Sequence, residues 1–132
     1  MKILFQNRDP GMHNGGDWIQ IQKTMEALKL LDVDVECNPS WDADLSGYDL
    51  VHLFHVNFGW TKNQIVNCRK QKKPFVITPI FYDTDQLGNS YNEMREFIKE
   101  AKIVFPFTHN ETLEIIDLLD TGEFNHCEIP NG

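Results

Sequence analysis

Short apolar runs alternate with longer amphipathic stretches along this chain, and that alternation predicts a parallel α/β sheet. Lys2–Gln6, 33–37, Leu50–Phe54, Phe75–Thr78, 102–107 and a short 127–129 read as six strands. Leu50-Val51-His52-Leu53-Phe54 is nearly continuous in apolar character, as expected of a strand covered on both faces. Over 17–31, Trp18, Ile19, Ile21, Met25, Leu28 and Leu31 recur at helical spacing, so one stripe faces the sheet while Gln20, Lys23 and Lys29 stay in water. Three later helices open on capping boxes: Thr61 with Gln64, Ser90 with Glu93, and Thr108 with Glu111. The helix after Ser90 presents Met94, Phe97, Ile98 and Ala101; the one after Thr108 presents Leu113, Ile116 and Leu119 and stops before Gly122. Six strands joined by helices in right-handed crossovers make a doubly wound, mostly parallel, Rossmann-like sheet flanked by helices. One connection, 38–49, is close to the minimum for a crossover, and Pro39 and Gly47 leave it an irregular loop.

Composition then narrows the partners. The 132 residues suit one domain with its own core. No apolar run reaches the roughly 18 residues needed to span a bilayer, and the start lacks a signal-peptide core, so the sequence reads as cytoplasmic. A formal charge of −8 argues against nucleic acid as a partner. Residues 1–73 hold nine basic and nine acidic side chains; residues 74–132 hold three and eleven, so the whole excess lies in the second half. Cys37, Cys68 and Cys127 form no CxxC and read as reduced, mostly buried thiols.

In an open α/β sheet ligands bind beyond the carboxyl ends of the strands. After the first strand comes Asn7-Arg8-Asp9-Pro10-Gly11-Met12-His13-Asn14-Gly15-Gly16, leading straight into a helix. Gly-Gly at a helix N-terminus offers unpaired N–H groups to a phosphate, or serves only as a flexible turn. Its spacing fits neither the GxGxxG fingerprint nor a Walker A loop. His55 closes the third strand, a place for a polar or acid/base group; His52, on the opposite strand face, reads as a packed histidine, and the pair makes no zinc site. After the fourth strand, the loop through Ile80, Tyr82, Asp83 and Asp85 mixes aromatics, carboxylates and amides suited to a hydroxylated ligand. No GxSxG elbow or activated cysteine is present.

The order of strand, Gly-Gly loop and amphipathic helix, then Val33-Asp34-Val35-Glu36, Tyr48-Asp49-Leu50-Val51-His52-Leu53-Phe54-His55, Lys73-Pro74-Phe75-Val76-Ile77-Thr78 and Ile129-Pro130-Asn131-Gly132, resembles the N-terminal half of retaining GT-B glycosyltransferases of family 4. The resemblance implies two Rossmann-like domains with the active site between them. The first holds a glycan, lipid-linked or small-molecule acceptor; its Gly15 and Gly16 approach the diphosphate of a nucleotide-sugar donor, and no metal cofactor is implied. The second, donor-binding domain, with its paired glutamates, has no counterpart here, so the chain is expected to be an N-terminal, acceptor-side domain inactive alone. Family members carry a histidine two residues after the threonine of the fourth strand; Ile80 stands there. His55, Tyr82 and Asp83 are the remaining candidates for sugar or acceptor contacts.

Some relatives reach lipid acceptors through a basic patch. Arg69, Lys70, Lys72 and Lys73 offer one for peripheral membrane contact, or else complement a helix C-terminus. Self-association to a homodimer is a further expectation. The competing readings are a receiver-like signalling module, which would want clustered acids, a strand-end Asp and a Lys where Asp9, His55 and Pro106 stand, and a non-catalytic interaction domain.

Overall fold

The computed structural model describes residues 1–9, 11–12 and 15–130. Pro10, His13 and Asn14 of the first loop, and the closing Asn131-Gly132 of the family resemblance, lie outside the described residues. The element order is β1 (Lys2–Gln6), α1 (Gly16–Lys29), β2 (Asp34–Cys37), β3 (Leu50–Phe54), α2 (Gly59–Lys70), β4 (Phe75–Thr78), α3 (Tyr91–Glu100) and α4 (His109–Leu119). The strands form one parallel sheet in the order β2-β1-β3-β4, with Ile3 opposite Val35 and Leu50, and Leu53 opposite Ile77.

Six strands were expected, and among the described residues four are present. Where 102–107 and 127–129 were expected as strands, the sheet continues only through isolated parallel bridges, Ile77 to Val104 and Val104 to His126. Backbone bonds still join these segments, among them Lys102 N–H to Phe75 O at 2.9 Å, Phe105 N–H to Ile77 O at 2.8 Å and Cys127 N–H to Val104 O at 3.0 Å, while Pro106 has no N–H to donate. The 38–49 connection is irregular, as its length and proline require.

Alternation along the strands sorts the core into two faces. Leu4, Val51, Leu53, Phe75 and Ile77 point to one side and pack with residues of α2, α3 and α4. Ile3, Phe5, Val35 and Phe54 point to the other and meet α1 through Ile21, Trp18, Met25 and Leu28. Ile19 and Leu31, expected in that stripe, are exposed; α1 ends at Lys29, and Asp32 at φ 60° turns the chain toward β2. On α4 the buried face is Thr112, Ile115 and Leu119 rather than Leu113, Ile116 and Leu119, with the Thr112 hydroxyl donating to Glu128 at 2.7 Å.

The capping boxes divide. Ser90 and Glu93 form the full reciprocal box. Thr108 accepts from Glu111 N–H, but the Glu111 carboxylate turns elsewhere. Thr61 and Gln64 form none: α2 begins two residues earlier at Gly59, and both side chains are buried inside it. Of the three thiols only Cys68 is fully buried, and burial pushes it up to about 12; Cys37 is half-buried and Cys127 exposed. Among the described residues no helix is long and apolar enough to cross a membrane.

Candidate functional site

The chain passes from β1 outward to β2 and then returns to β3 on the other side of β1. The loops leaving β1 and β3 therefore diverge, which opens a crevice at the carboxyl ends of the strands. A cleft of about 370 Å³ fills it, walled by Arg8, Gly15, Gly16, His55, Ile80 and Tyr82, with Asp17 at its base. Four expected site residues, Gly15, Gly16, His55 and Tyr82, come together here. Asp83 does not line the cleft; its carboxylate accepts from the Tyr91 hydroxyl at 3.0 Å.

The two glycines differ. Gly15 has φ 89°, and a Cβ there would lie against the Arg8 guanidinium and 3.0 Å from Asp17 Oδ1. At Gly16 a Cβ would meet nothing within 4 Å, so this position faces open cleft. Gly15 caps α1 without a side-chain hydrogen bond, leaving the positive end of the helix dipole turned toward the cleft.

Asp17, in the first turn of α1, is the hub that sequence reasoning missed. Its Oδ2 accepts from Asn7 Nδ2 at 2.7 Å and lies 2.9 Å from His55 Nε2; its Oδ1 accepts from Arg8 Nη2 at 2.8 Å and from Trp18 N–H at 3.0 Å. One carboxylate thus ties the ends of β1 and β3 to the start of α1. Burial pushes this carboxyl up, but the hydrogen bonds from Asn7 and His55 and the charge of Arg8 outweigh it and hold it below the ordinary value. Burial holds the His55 imidazole below its usual value, against the pull of Asp17 and with help from Arg8. His55 is therefore neutral at pH 7. An ionised carboxylate only accepts, so the proton sits on Nε2, and Nδ1 is a bare acceptor with no partner among the described residues.

Backbone conformation marks the same place. Among the described residues five other than glycine have positive φ; Asp32, Lys72 and Asp120 follow helix ends, where left-handed residues are common. The other two, His55 (φ 71°) and Ile80 (φ 41°), end neighbouring strands and both line the cleft. Each costs about 1–2 kcal/mol, the kind of strain that collects at binding sites. His55 is held there by its N–H to Thr78 O at 3.0 Å, by Val56 N–H to Pro79 O at 2.8 Å, and by the Thr61 hydroxyl, which donates to its carbonyl.

Buried side chains fix the walls. Asn57 Nδ2 donates to the carbonyls of Tyr82 (2.7 Å) and Thr84 (2.9 Å), and its Oδ1 accepts from Tyr82 N–H at 2.9 Å. Glu111 accepts from Phe81 N–H at 2.8 Å and Phe107 N–H at 2.7 Å, so α4 pins both loops. Gln64 Nε2 holds the carbonyls of Asn7 and Pro39 at 2.8 and 2.9 Å. The sequence signal for Gln64 and Glu111 was read as capping, whereas tertiary contacts claim both side chains.

His52 lies on the opposite strand face from Leu53. Its ring stacks on Phe54 with centroids 4.4 Å apart and meets Phe5 and Phe105, and Nε2 pairs with Thr78 Oγ1 at 2.8 Å. Part of the residue stays accessible, yet the three aromatic walls leave a charge there no hydration, and burial pushes its pKa down to about 3. The basic stretch is partly committed: Arg69 forms a bidentate pair with Glu100, and Lys73 donates to the Tyr48 carbonyl, while Lys70 and Lys72 are exposed. Among the described residues no group of three His, Cys, Asp or Glu side chains is placed to hold a metal.

The fold is a parallel α/β sheet flanked by helices, Rossmann-like in general kind, with an open cleft at its topological switch point. Comparison with protein-family models, curated proteins and solved structures returns no match to this chain.

Proposed function

We propose that this chain is the acceptor-side, N-terminal domain of a GT-B glycosyltransferase that transfers a sugar with retention from a nucleotide diphosphate sugar. The observation that carries the reading is the convergence of Gly15, Gly16, Arg8, His55 and Tyr82 on one cleft at the switch point. The N–H groups at the start of α1 and the Arg8 guanidinium face a departing diphosphate, where preorganised donors stabilise the charge that grows as the glycosidic bond breaks. His55 Nδ1 and the Tyr82 hydroxyl supply an acceptor and a donor for sugar hydroxyls. In this reading a second, donor-binding domain supplies the rest of the donor site, so these 132 residues alone bind weakly and do not turn over. The setting is cytoplasmic, and within the basic patch Lys70 and Lys72 are the exposed cations that would meet an anionic membrane surface. The strand order also suits receiver-like signalling modules, but these need an aspartate where β3 ends, and His55 stands there.

Calorimetry with UDP-glucose and GDP-mannose tests the reading. Weak binding of one of them, lost in Gly16→Val, is expected; the new side chain enters open space and so removes binding without disturbing the fold. No heat with either donor overturns the reading, and turnover by the isolated chain overturns its two-domain form.

A further inference from the structure

The apolar stripe of α1 assigns Gln20 to water, yet the folded chain brings this half-buried residue to the wall of the cleft. It stands four residues after Gly16 and therefore on the same face of the helix. Helical side chains lean toward the N-terminus, here over the turn where Gly16 leaves open space. The main-chain carbonyl of Gln20 accepts from the Thr24 hydroxyl at 2.9 Å, but its side-chain amide has no hydrogen-bond partner among the described residues. Tyr82 is alike. Asn57 clamps its main-chain N–H and carbonyl at 2.9 and 2.7 Å, while its hydroxyl has no partner among the described residues. Two neutral groups, each able to donate and to accept, thus line one cleft with their hydrogen-bonding capacity unused inside the protein.

Charge is confined to one corner of the cleft. Among the described residues Arg8 and Asp17 are the charged side chains that line it, and they pair at 2.8 Å beside the start of α1. Other walls are aromatic: Phe54, Phe58 and Phe107. Phe58 stacks on Trp60 with centroids 4.1 Å apart, which fixes its ring as an apolar surface. Amide and hydroxyl groups beside such rings suit a molecule with hydroxyls on its edge and C–H groups on its faces. A phosphate or carboxylate placed against the rings would lose its water with no cation to replace it. We propose that this part of the cleft is the acceptor subsite and that it takes an uncharged sugar ring, with the Gln20 amide and the Tyr82 hydroxyl on the ring's hydroxyls. The inference rests on the glycosyltransferase reading and sharpens it: the acceptor ring is neutral, Gln20 is a specificity-determining residue, and the donor diphosphate keeps to the start of α1.

NMR titration of the isotopically labelled chain tests this, using the methyl β-glycosides of glucose, galactose, mannose and N-acetylglucosamine and the 6-phosphates of the same sugars. UDP-glucose and GDP-mannose are titrated in parallel. At least one glycoside should move the Gln20 side-chain amide signal saturably, with its 6-phosphate about tenfold weaker. Gln20→Ala should weaken that glycoside about fivefold, the worth of one neutral hydrogen bond. Alanine favours the helix and the lost amide bonds nothing inside the protein, so the fold is kept. Lys23→Ala, at an exposed position one turn on, should leave glycoside binding unchanged. No response to any glycoside while a nucleotide sugar binds, or a 6-phosphate that binds as tightly, overturns the neutral acceptor and leaves the transferase reading standing. Undiminished affinity in Gln20→Ala, or an equal loss in Lys23→Ala, removes Gln20 from the site and overturns the proposal. Glycoside binding with neither nucleotide sugar bound overturns the transferase reading, and the acceptor assignment falls with it.

Discussion

The two faces of the sheet bury the same kinds of side chain to different completeness. Leu4, Val51, Leu53 and Ile77 disappear under three helices, while on the opposite face Ile3, Phe5 and Phe54 meet α1 and Met12 of the loop before it, and the area beyond β3 is a groove. Alternate residues of a single strand therefore do different work. In β3, Val51 and Leu53 hold the domain together; Leu50, His52 and Phe54 line a surface that is apolar yet not closed. A parallel sheet is ordinarily covered on both faces, and the described residues cover the α1 face only in part.

The sharpest way to break that comparison uses the same substitution on both faces of one strand. Leu53→Ala leaves a cavity under three helices and should cost about 3 kcal/mol in urea denaturation; Leu50→Ala, at the open groove, should cost about 1 kcal/mol. Equal losses would show that the α1 face is as tightly built as the other. The next largest effect is acid sensitivity of the open face. His52 has a folded pKa of about 3 against an ordinary value near 6.5, so the unfolded chain takes up a proton that the folded chain refuses. Stability should fall as pH drops below 6.5, by about 1.4 kcal/mol per pH unit, until the folded ring itself titrates. His55, also lowered, adds in the same direction. The difference between the parent chain and His52→Leu over pH 6.5 to 4.5 isolates His52; parallel profiles would mean that its ring is solvated. The smallest effect separates the two glycines of the cleft. Gly15→Ala, at positive φ and against Arg8, should cost about 1 kcal/mol, and Gly16→Ala should stay within about 0.5 kcal/mol. The reverse order, read from unfolding midpoints, would mean that the Gly15 turn is not the strained one.

Local chemistry carried a good part of the fold into view. Lys2–Gln6, Leu50–Phe54 and Phe75–Thr78 form strands with the bounds that apolar patterning predicts, and Ser90 with Glu93 starts α3 as its spacing requires. These features depend on neighbours two to four residues away. Where an interaction reaches further, prediction failed for an identifiable reason. Thr61 and Gln64 have capping spacing, but Gln64 is drawn to the carbonyl of Asn7, 57 residues away, and the helix starts at Gly59 instead. Val104 and His126 join the sheet only as bridges, although apolar character alone would extend strands there.

The cleft divides in the same manner. Gly15, Gly16, His55 and Tyr82 were legible because strand ends in α/β sheets are where ligands bind, and each stands at or beyond one. Asp17 was not, since an aspartate in the first turn of a helix reads as an ordinary complement to the dipole. Its importance arises from three partners, Asn7, Arg8 and His55, that only the folded sheet brings within 3 Å.

By itself the sequence determined the α/β class, the principal elements and the strand ends at which chemistry could sit, because periodicity and capping are short-range properties of the chain. Only the tertiary structure decided that the sheet has four strands, that one of its faces is left partly open, and that Asp17 draws β1, β3 and α1 into one site. Those outcomes depend on which distant donors, acceptors and apolar surfaces meet once the chain has crossed itself.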